Sequence, residues 1–281
     1  MGDLVEDVVV WLQHEPRQGT DTPARIFRAR GGSAANVASF VVAAGGRSRF
    51  LGRVGDDETG DHLTEALRGS GVDVRVQREG RTGTVVVLVE PGGERTMLPD
   101  RAAAADLTDP PLWWADGLGA LHIPAYSLAV EPLATSTVAL AERARSGGAL
   151  VSVDSSSVAV IEDMGPMAVR SMLDDLHVDV LFANADEAEA LGLHQLPPGI
   201  GMTVVKDGPR PVRLLAADGT VTEVQVPPLD SVADTTGAGD AFAAGYLVAR
   251  LSGAGATGAA RAGVALARRV LTTPGAALGR D

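Results

Sequence analysis

After residue 110, strand-like and helix-like segments alternate regularly along the chain. Runs of aliphatic residues typical of buried strands fall at 120–123, 150–153, 178–182 and 203–205. Apolar residues at helical spacing mark helices over 131–145, 167–176, 185–191, 240–251 and 259–271. This β-α-β-α order predicts an α/β fold with a mainly parallel central sheet and helices on both faces, and ligands of such folds bind beyond the carboxyl ends of the strands.

The first hundred residues show a different pattern. Strand-like segments at 8–12, 24–30, 84–89 and 95–98 have too few helices between them for a parallel sheet. We therefore expect a small antiparallel sheet that is separate from the main one. A length of 281 residues fits one domain carrying such an addition, so we predict a single domain over 1–281.

Charge and composition exclude several classes of function. The formal net charge is −12, which disfavours binding to nucleic acid or to an anionic membrane surface. The absence of cysteine excludes disulfides, zinc–thiolate sites and cysteine nucleophiles. The sequence shows neither an apolar run of the roughly 20 residues that a spanning helix needs nor a basic signal-peptide start. These features predict a cytoplasmic protein that acts on small molecules.

One glycine-rich motif carries most of the chemical information. It is the stretch Asp234-Thr235-Thr236-Gly237-Ala238-Gly239-Asp240-Ala241-Phe242, a turn that opens a helix. Backbone N–H groups in such a turn converge on an anion, and the helix dipole adds favourable potential. Asp240 in the first helical turn suits a general base beside a transferring phosphoryl group. The alternative is an aspartate that merely caps a helix after a glycine turn.

Four further blocks occur around this motif in a fixed order. They are Gly31-Gly32-Ser33-Ala34-Ala35-Asn36-Val37-Ala38, Gly52-Arg53-Val54-Gly55-Asp56-Asp57-Glu58-Thr59-Gly60, Asn184-Ala185-Asp186-Glu187 and Gly275-Ala276. Together the five blocks resemble the signatures of the ribokinase-like, or PfkB, carbohydrate kinases. The resemblance implies a ribokinase-like three-layer α/β/α fold with a small β-sheet lid, whose strands we place at about 7–30 and 82–99.

The resemblance also implies roles for individual residues. Asp240 is expected to deprotonate the acceptor hydroxyl, while Gly237, Ala238 and Gly239 form the anion hole. The sugar hydroxyls are expected at Asp7, Gly32 and Asn36, and the nucleotide at Asn184, Lys206, Gly208 and Thr236. Lys206 is the only lysine of the chain.

The same resemblance predicts the partners of the protein. They are ATP, a small sugar, and Mg²⁺ held mostly through water by Asn184 and Glu187. In several relatives a monovalent cation such as K⁺ lies where Asp234 and Thr236 stand here. The lid closes over the substrate in the family and often mediates homodimer formation.

Several assignments have structural alternatives. Asn184 and Glu187 also have capping-box spacing, and Gly31-Gly32 is also compatible with an ordinary turn. Asp7 and Lys206 could be solvated surface residues. Asn36 is harder to explain by structure alone, because an amide in an apolar helix needs a polar partner, which a polyol would supply. Arg95 and Arg101 are candidates for binding a carboxylate or phosphate of the substrate, or are solvated.

The chain departs from the family pattern at three places. Relatives carry an apolar strand before the glycine that Gly2 matches, which predicts a coding start further upstream. Val153-Asp154-Ser155-Ser156-Ser157 replaces a common Asp-x-Asn-x-Arg segment, and Ala262-Gly263-Val264 stands where relatives carry an asparagine near adenine. The sequence thus predicts an ATP-dependent kinase that phosphorylates a hydroxymethyl group of a sugar or sugar-like polyol. A nucleoside kinase of the same family and a non-catalytic binding protein are the alternatives.

Overall fold

The computed structural model describes residues 1–92, 94–193 and 199–273. The predicted closing pair Gly275-Ala276 lies outside the described residues. The strands are β1 Val5–Leu12, β2 Ala24–Gly31, β3 Arg49–Val54, β4 Asp73–Arg78, β5 Thr84–Val89, β6 Arg95–Asp100, β7 Ala120–Pro124, β8 Leu150–Asp154, β9 Val180–Asn184, β10 Met202–Lys206, β11 Val212–Ala216 and β12 Val221–Val224. The α-helices are α1 Ser33–Ala43, α2 Glu58–Gly69, α3 Leu133–Ser146, α4 Val158–Met164, α5 Pro166–Asp175, α6 Ala185–Ala190, α7 Ala238–Leu251 and α8 Ala256–Leu271.

The main sheet has six strands in the order β12-β11-β10-β9-β8-β7. Strands β7 to β10 are parallel, and β11 and β12 extend the sheet in antiparallel fashion. The carboxyl ends of the four parallel strands therefore meet at one edge. Pro124, Asp154, Asn184 and Lys206 are the last residues of these strands.

Strand β9 shows why this sheet is covered on both faces. Leu181 and Ala183 pack into the core beneath α3 and α5, whereas Val180 and Phe182 pack into a second core with α7 and α8. Successive strand residues point to opposite faces, so a run in which every residue is apolar requires helices on both sides. The result is the predicted three-layer α/β/α arrangement.

A separate two-stranded parallel sheet, formed by β3 and β4, packs against α1 and α2. The first residues of the chain lie between this sheet and the main one. The amino group of Met1 donates to the carbonyl oxygen of His122 on β7 at 2.7 Å, and the Gly2 amide donates to Leu51 on β3 at 3.0 Å. An additional upstream strand stays a prediction.

The third sheet, which we call the lid sheet, has four strands in the order β2-β1-β5-β6. The predicted antiparallel pairing holds for β1 with β2 and for β5 with β6, but β1 and β5 run parallel. The sequence pattern could not show this pairing, because it depends on residues that are far apart in the chain.

Several elements have no counterpart in the sequence prediction, namely β4, β11, β12 and α4. The glycine-rich stretch that follows α7 forms a loop before α8. Within the described ranges, no helix combines the length and the apolar character needed to cross a membrane.

Candidate active site

The candidate site is centred on the first turn of α7. Gly237 caps this helix with φ of 75°, a left-handed conformation that glycine adopts without strain. The Ala241 amide already donates to the Gly237 carbonyl at 2.8 Å, whereas the amides just inside the helix start have no partner within the helix itself. The glycine turn and the helix dipole therefore present donors and positive potential at this end of α7.

Asp240 in this turn is held by two residues of α1. The Ser33 hydroxyl donates to its Oδ1 at 2.6 Å, and the Asn36 side-chain amide donates to its Oδ2 at 3.0 Å. Burial raises the pKa of the Asp240 carboxyl, while these two hydrogen bonds oppose the increase. Each carboxylate oxygen keeps a further lone pair that can accept a proton. Asn36 therefore has a protein partner, although sequence analysis assigned its amide to a polyol.

The lid sheet contributes two charged residues to the same place. Arg30 of β2 donates to the Asn36 side-chain oxygen at 3.2 Å, so Asn36 bridges Arg30 and Asp240. Burial raises the pKa of Asp7 on β1 to about 6, against the opposing charge of Arg30, and Asp240 contributes to the increase. Sequence analysis missed Arg30 and Ser33. Their position beside the glycine pair at 31–32 was the available signal.

The glycine pair is required by close backbone contacts. A Cβ atom at Gly31 would lie 1.9 Å from the Asp7 carboxylate, and one at Gly32 would lie 2.2 Å from the Asp3 carbonyl oxygen. Gly32 also has φ of 98°, so a side chain there would be strained as well. These contacts let the backbone lie directly against Asp7 where the chain enters α1.

At the edge of the main sheet, Lys206 pairs with Asp154. The lysine Nζ lies 2.8 Å from Asp154 Oδ2, and the two side chains are 17% and 15% exposed. Burial alone would lower the pKa of Lys206, but the charge and hydrogen bond of Asp154, together with the charges of Glu187 and Asp240, outweigh it and the pKa is raised. A Cβ atom at Gly239 would lie 3.3 Å from this Nζ. The ammonium group is therefore adjacent to the glycine turn of α7.

Asn184 and Glu187 form the capping box that their spacing permitted. The Glu187 amide donates to Asn184 Oδ1, and Glu187 Oε2 accepts from the Asn184 amide, both at 2.8 Å. Glu187 Oε1 accepts from the Asn184 side chain at 2.8 Å, and Ser155 donates to Oε2 at 2.7 Å. Burial raises the pKa of Glu187, and the charge of Asp154 raises it further.

This arrangement fits a hydrated divalent cation better than a directly coordinated one. The Glu187 carboxylate accepts three hydrogen bonds and is 4% exposed, so its lone pairs are largely occupied. Within the described part of the chain, no group of three or more acidic or histidine side chains could form a direct metal site. Mg²⁺ commonly keeps several water ligands and takes its remaining ligands from phosphates.

Two arginines predicted to contact the substrate have protein partners. Arg95 donates to the side chains of Asp234 and Thr236 in the loop before α7. Arg101 forms a two-pronged pair with Asp3, at 2.7 and 2.6 Å, and also donates to the Tyr126 carbonyl. Binding of a substrate anion by Arg95 or Arg101 stays a prediction.

The predicted residues thus form two groups on either side of Asp240. Asp7, Gly32 and Asn36 lie with the lid and α1, and this group is called the acceptor side after the role predicted for it. Lys206 and Asn184 lie at the sheet edge with Asp154, and Glu187 lies in the adjoining helix α6. This second group is called the phosphoryl side, again after its predicted role. Gly208 is exposed in the loop after β10, and nothing lies within 4 Å of where its Cβ would be.

Comparison with known protein families identifies the family of the chain. Residues 7–281 match the description "pfkB family carbohydrate kinase". The chain belongs to this family. It is therefore an enzyme, a carbohydrate kinase that uses ATP to phosphorylate a sugar, as the motifs predicted.

Curated relatives of this kinase include two bacterial fructokinases. The fructokinase of Klebsiella pneumoniae is 33% identical over 268 residues, covering 88% of this chain and 82% of its own. The fructokinase of Salmonella typhimurium is 30% identical, with the same coverage of both chains.

Solved structures confirm the ribokinase-like fold. Adenosine kinase from Sinorhizobium meliloti superposes with a TM-score of 0.86 at 23% identity, over 98% of this chain and 93% of its own. Arabidopsis thaliana ribokinase, complexed with ribose and ATP, gives a TM-score of 0.80 at 22% identity, over 98% and 92%.

Proposed function

We propose that this kinase transfers the γ-phosphoryl group of ATP to a hydroxymethyl group of a ketohexose, fructose being the first candidate. The observation that carries the proposal is the position of Asp240. Its carboxylate lies in the first turn of α7, between the acceptor side and the phosphoryl side. A base in this position can take a hydroxyl proton while the amides of the same turn face the developing phosphate charge.

The proposed mechanism assigns one task to each group of residues. Asp7 and the backbone at Gly32 bind hydroxyls of the sugar, while Asn36 and Ser33 orient Asp240. Asp240 accepts the proton of the sugar hydroxyl that attacks. At the same time the hydroxyl oxygen forms a bond to the γ-phosphorus, and the bond between that phosphorus and the leaving ADP breaks. The amides of Gly237, Ala238 and Gly239, with Lys206, stabilise the charge on the transferring group. Closure of the lid sheet excludes water, which limits hydrolysis of ATP.

Mg²⁺ would be held through water by Asn184 and Glu187, and it would neutralise charge on the phosphate oxygens. In the same proposal, the nucleotide lies along the sheet edge from Lys206 and Asn184 towards Gly208 and Thr236. Lys206 supports this placement because it is the only lysine of the chain and lies beside Gly239.

The choice of a ketohexose rests on the curated relatives. Fructokinases cover most of this chain at 30–33% identity. The adenosine kinase structures are less than 25% identical, so they support the fold and not the substrate. The charges of Asp7, on the acceptor side, and of Asp240 both act on Arg30. This balance suits an uncharged polyol, because a substrate anion would meet both carboxylates.

Release of ADP from Mg-ATP should be measured across ketohexoses, aldopentoses, sugar acids and nucleosides. Fructose is expected to give the highest kcat/KM, with the phosphate located on a hydroxymethyl carbon by NMR. Highest activity on a nucleoside would establish the nucleoside kinase instead. Protein that is folded by circular dichroism and silent on every compound would support the binding-protein alternative.

We also propose that the lid sheet forms a homodimer contact. The strand register places Val10 opposite both Ile26 and Leu88, and Val86 opposite Leu98, so these side chains share one face. Ile26 is 62% exposed and Leu98 is 52% exposed. An apolar sheet face of this kind fits the same face of a second copy.

Sedimentation equilibrium tests this contact. The unmodified protein is expected at twice the chain mass, and a variant carrying Ile26→Glu and Leu98→Glu at the chain mass. Met167→Glu, on an even more exposed apolar residue of α5, should leave the mass unchanged. A monomeric unmodified protein would contradict the proposal. The cytoplasmic location and the absence of nucleic-acid and membrane partners stay predictions that rest on composition.

A further inference from the structure

The lid sheet is tied to the loop before α7 by one side chain. Arg95, the first residue of β6, donates from one terminal nitrogen to Thr236 Oγ1 and from the other to Asp234 Oδ1. The residues lie 139 to 141 positions apart in the sequence. The Asp234 side chain is 9% exposed and that of Arg95 is 20% exposed. This is a partly buried ion pair between two separate parts of the site.

The two acceptors of this arginine are the residues at which the family resemblance implied a monovalent cation. Asp234 Oδ1 also accepts from the Thr236 amide at 2.7 Å, which fixes the turn directly before Gly237. The guanidinium already supplies one positive charge to this oxygen pair. A potassium ion coordinated by the same oxygens would lie against a like charge, which is unfavourable in a partly buried position. The residues present therefore do not fit a monovalent cation at Asp234.

We propose that Arg95 replaces the monovalent cation, so that this kinase works without potassium. The inference rests on the proposed function, because it concerns the loop that leads into the anion hole. Arg95 is a positioning residue in this account. It holds the Asp234–Thr236 turn, and the turn sets the direction of the Gly237 and Gly239 amides.

A tethered arginine differs from a dissolved ion in one further respect. It belongs to the lid sheet, whose strand β1 also carries Asp7 of the acceptor side. A movement of β6 away from the body would remove the charge from the Asp234–Thr236 turn. The proposal therefore links lid closure over the sugar to the geometry of the anion hole, a link that a free potassium ion does not provide.

The first test uses the unmodified protein. Its kcat/KM with fructose and Mg-ATP should be measured in potassium, sodium and tetramethylammonium chloride at equal ionic strength. If no monovalent cation binds at Asp234, exchanging the cation of the buffer cannot change the population of the active form. The three values of kcat/KM should therefore agree within about 2-fold. Activation by potassium of roughly tenfold or more over tetramethylammonium would overturn the proposal.

The second test uses variants at Arg95. Arg95→Met in tetramethylammonium should lose roughly 10- to 100-fold in kcat/KM, the usual effect of removing hydrogen bonds to a charged group. Potassium should restore part of this loss, and Arg95→Lys should retain more activity than Arg95→Met. Arg143→Met is the control, because Arg143 is an exposed arginine of α3, outside the lid sheet, that pairs with Asp116. An Arg95→Met enzyme that behaves like the control, or whose loss potassium leaves unchanged, would overturn the proposal.

A binding measurement separates this inference from the proposed function. Calorimetric titration with the β,γ-imido analogue of ATP and Mg²⁺ requires no turnover and no sugar. The unmodified protein should bind the analogue equally in potassium and tetramethylammonium, whereas Arg95→Met should bind more tightly in potassium. If no sugar is phosphorylated, the proposed function fails, and this comparison still decides the role of Arg95. If the unmodified protein binds the ATP analogue more tightly in potassium than in tetramethylammonium, the proposal that Arg95 replaces the cation is overturned.

Discussion

The acceptor side and the phosphoryl side of Asp240 are built in different ways. On the phosphoryl side, Asp154, Asn184 and Lys206 are the last residues of adjacent parallel strands, so the sheet itself fixes their spacing. On the acceptor side, Asp7 and Arg30 belong to the lid sheet, and Arg30 reaches the body through Asn36.

This difference shows which part of the site depends on lid position. The Lys206–Asp154 pair is formed within the body and does not need the lid. The chain of contacts from Arg30 through Asn36 to Asp240 crosses from the lid to the body and exists only while the two are together. We therefore expect substitutions on the phosphoryl side to reduce kcat with every sugar. Substitutions on the acceptor side should instead weaken sugar binding and disturb the orientation of Asp240.

Among the changes that distinguish the two sides, the largest effect is expected on the phosphoryl side, at Lys206. Lys206→Met should lower kcat by roughly 10²- to 10³-fold, the usual cost of losing one donor to a developing anion. Lys206→Arg keeps the charge and should retain more activity. Arg210→Met is the control, since Arg210 is an exposed residue four positions away that pairs with Asp207. A normal kcat for Lys206→Met would show that the γ-phosphoryl group is transferred without contact to Lys206.

The single lysine permits a test of the same point without mutation. Reductive methylation of side-chain amines can modify only Lys206, apart from the chain terminus. Mg-ATP should protect Lys206 from modification, as followed by mass spectrometry of peptides, whereas sugar alone should not. Equal protection by the sugar would mean that the two sides are not separated as described.

A smaller effect is expected on the acceptor side, at Arg30. Arg30→Gln should reduce kcat/KM for the sugar by roughly 10- to 100-fold, because the Asn36 amide loses the cation that fixes its orientation. The KM for ATP should change little. Arg30→Lys should recover part of the loss, and Arg143→Gln, at an exposed arginine outside the lid sheet, should have no effect. A change in ATP KM as large as that in sugar KM would contradict the division into two sides.

An effect of a different kind concerns stability and its dependence on pH. Asp7 has its pKa raised from 3.8 to about 6 in the folded protein, chiefly by burial. The folded state then binds more protons than the unfolded state between these values, so Asp7 lowers stability as pH rises through this window. A shift of about 2 units corresponds to about 3 kcal/mol at neutral pH. Asp7→Asn should therefore raise the free energy of unfolding at pH 7.5 and weaken sugar binding.

Urea denaturation at pH 4 and pH 7.5, with Asp218→Asn as the exposed control, measures this change. The gain from Asp7→Asn should be larger at pH 7.5 than at pH 4. A stabilisation that is independent of pH would show that the Asp7 carboxyl titrates normally.

The local structure at the sheet edge was easier to predict from the sequence than the contacts of the lid, for a physical reason. The Asn184–Glu187 spacing, the glycine turn at 237–239 and the strand end at Lys206 are local patterns, and parallel strands bring their ends together without further information. Asp154 was noticed only as a departure from a family pattern, although it ends a strand beside the other two.

The contacts between the lid sheet and the body could not be predicted from local sequence patterns. Ser33 lies within a motif and Arg30 directly before it, but the contact of Ser33 with Asp240 spans more than 200 residues, and Arg30 reaches Asp240 only through Asn36. The pairing of Arg95 with Asp234 joins two candidate residues that had been given different partners, a substrate anion and a cation. The parallel pairing of β1 with β5 is similarly non-local. Such contacts depend on how the lid packs on the body, which no local pattern encodes.

The central claim is that Asp240 is the base on which both sides converge, and one variant tests it most directly. Asp240→Asn should bind fructose and the β,γ-imido analogue of ATP with affinities close to those of the unmodified protein, as measured by calorimetry. Its kcat should fall by roughly 10²- to 10⁴-fold, the usual contribution of a general base. A variant that binds both ligands and still turns over at a rate near that of the unmodified enzyme would contradict the account, because another group would then accept the proton.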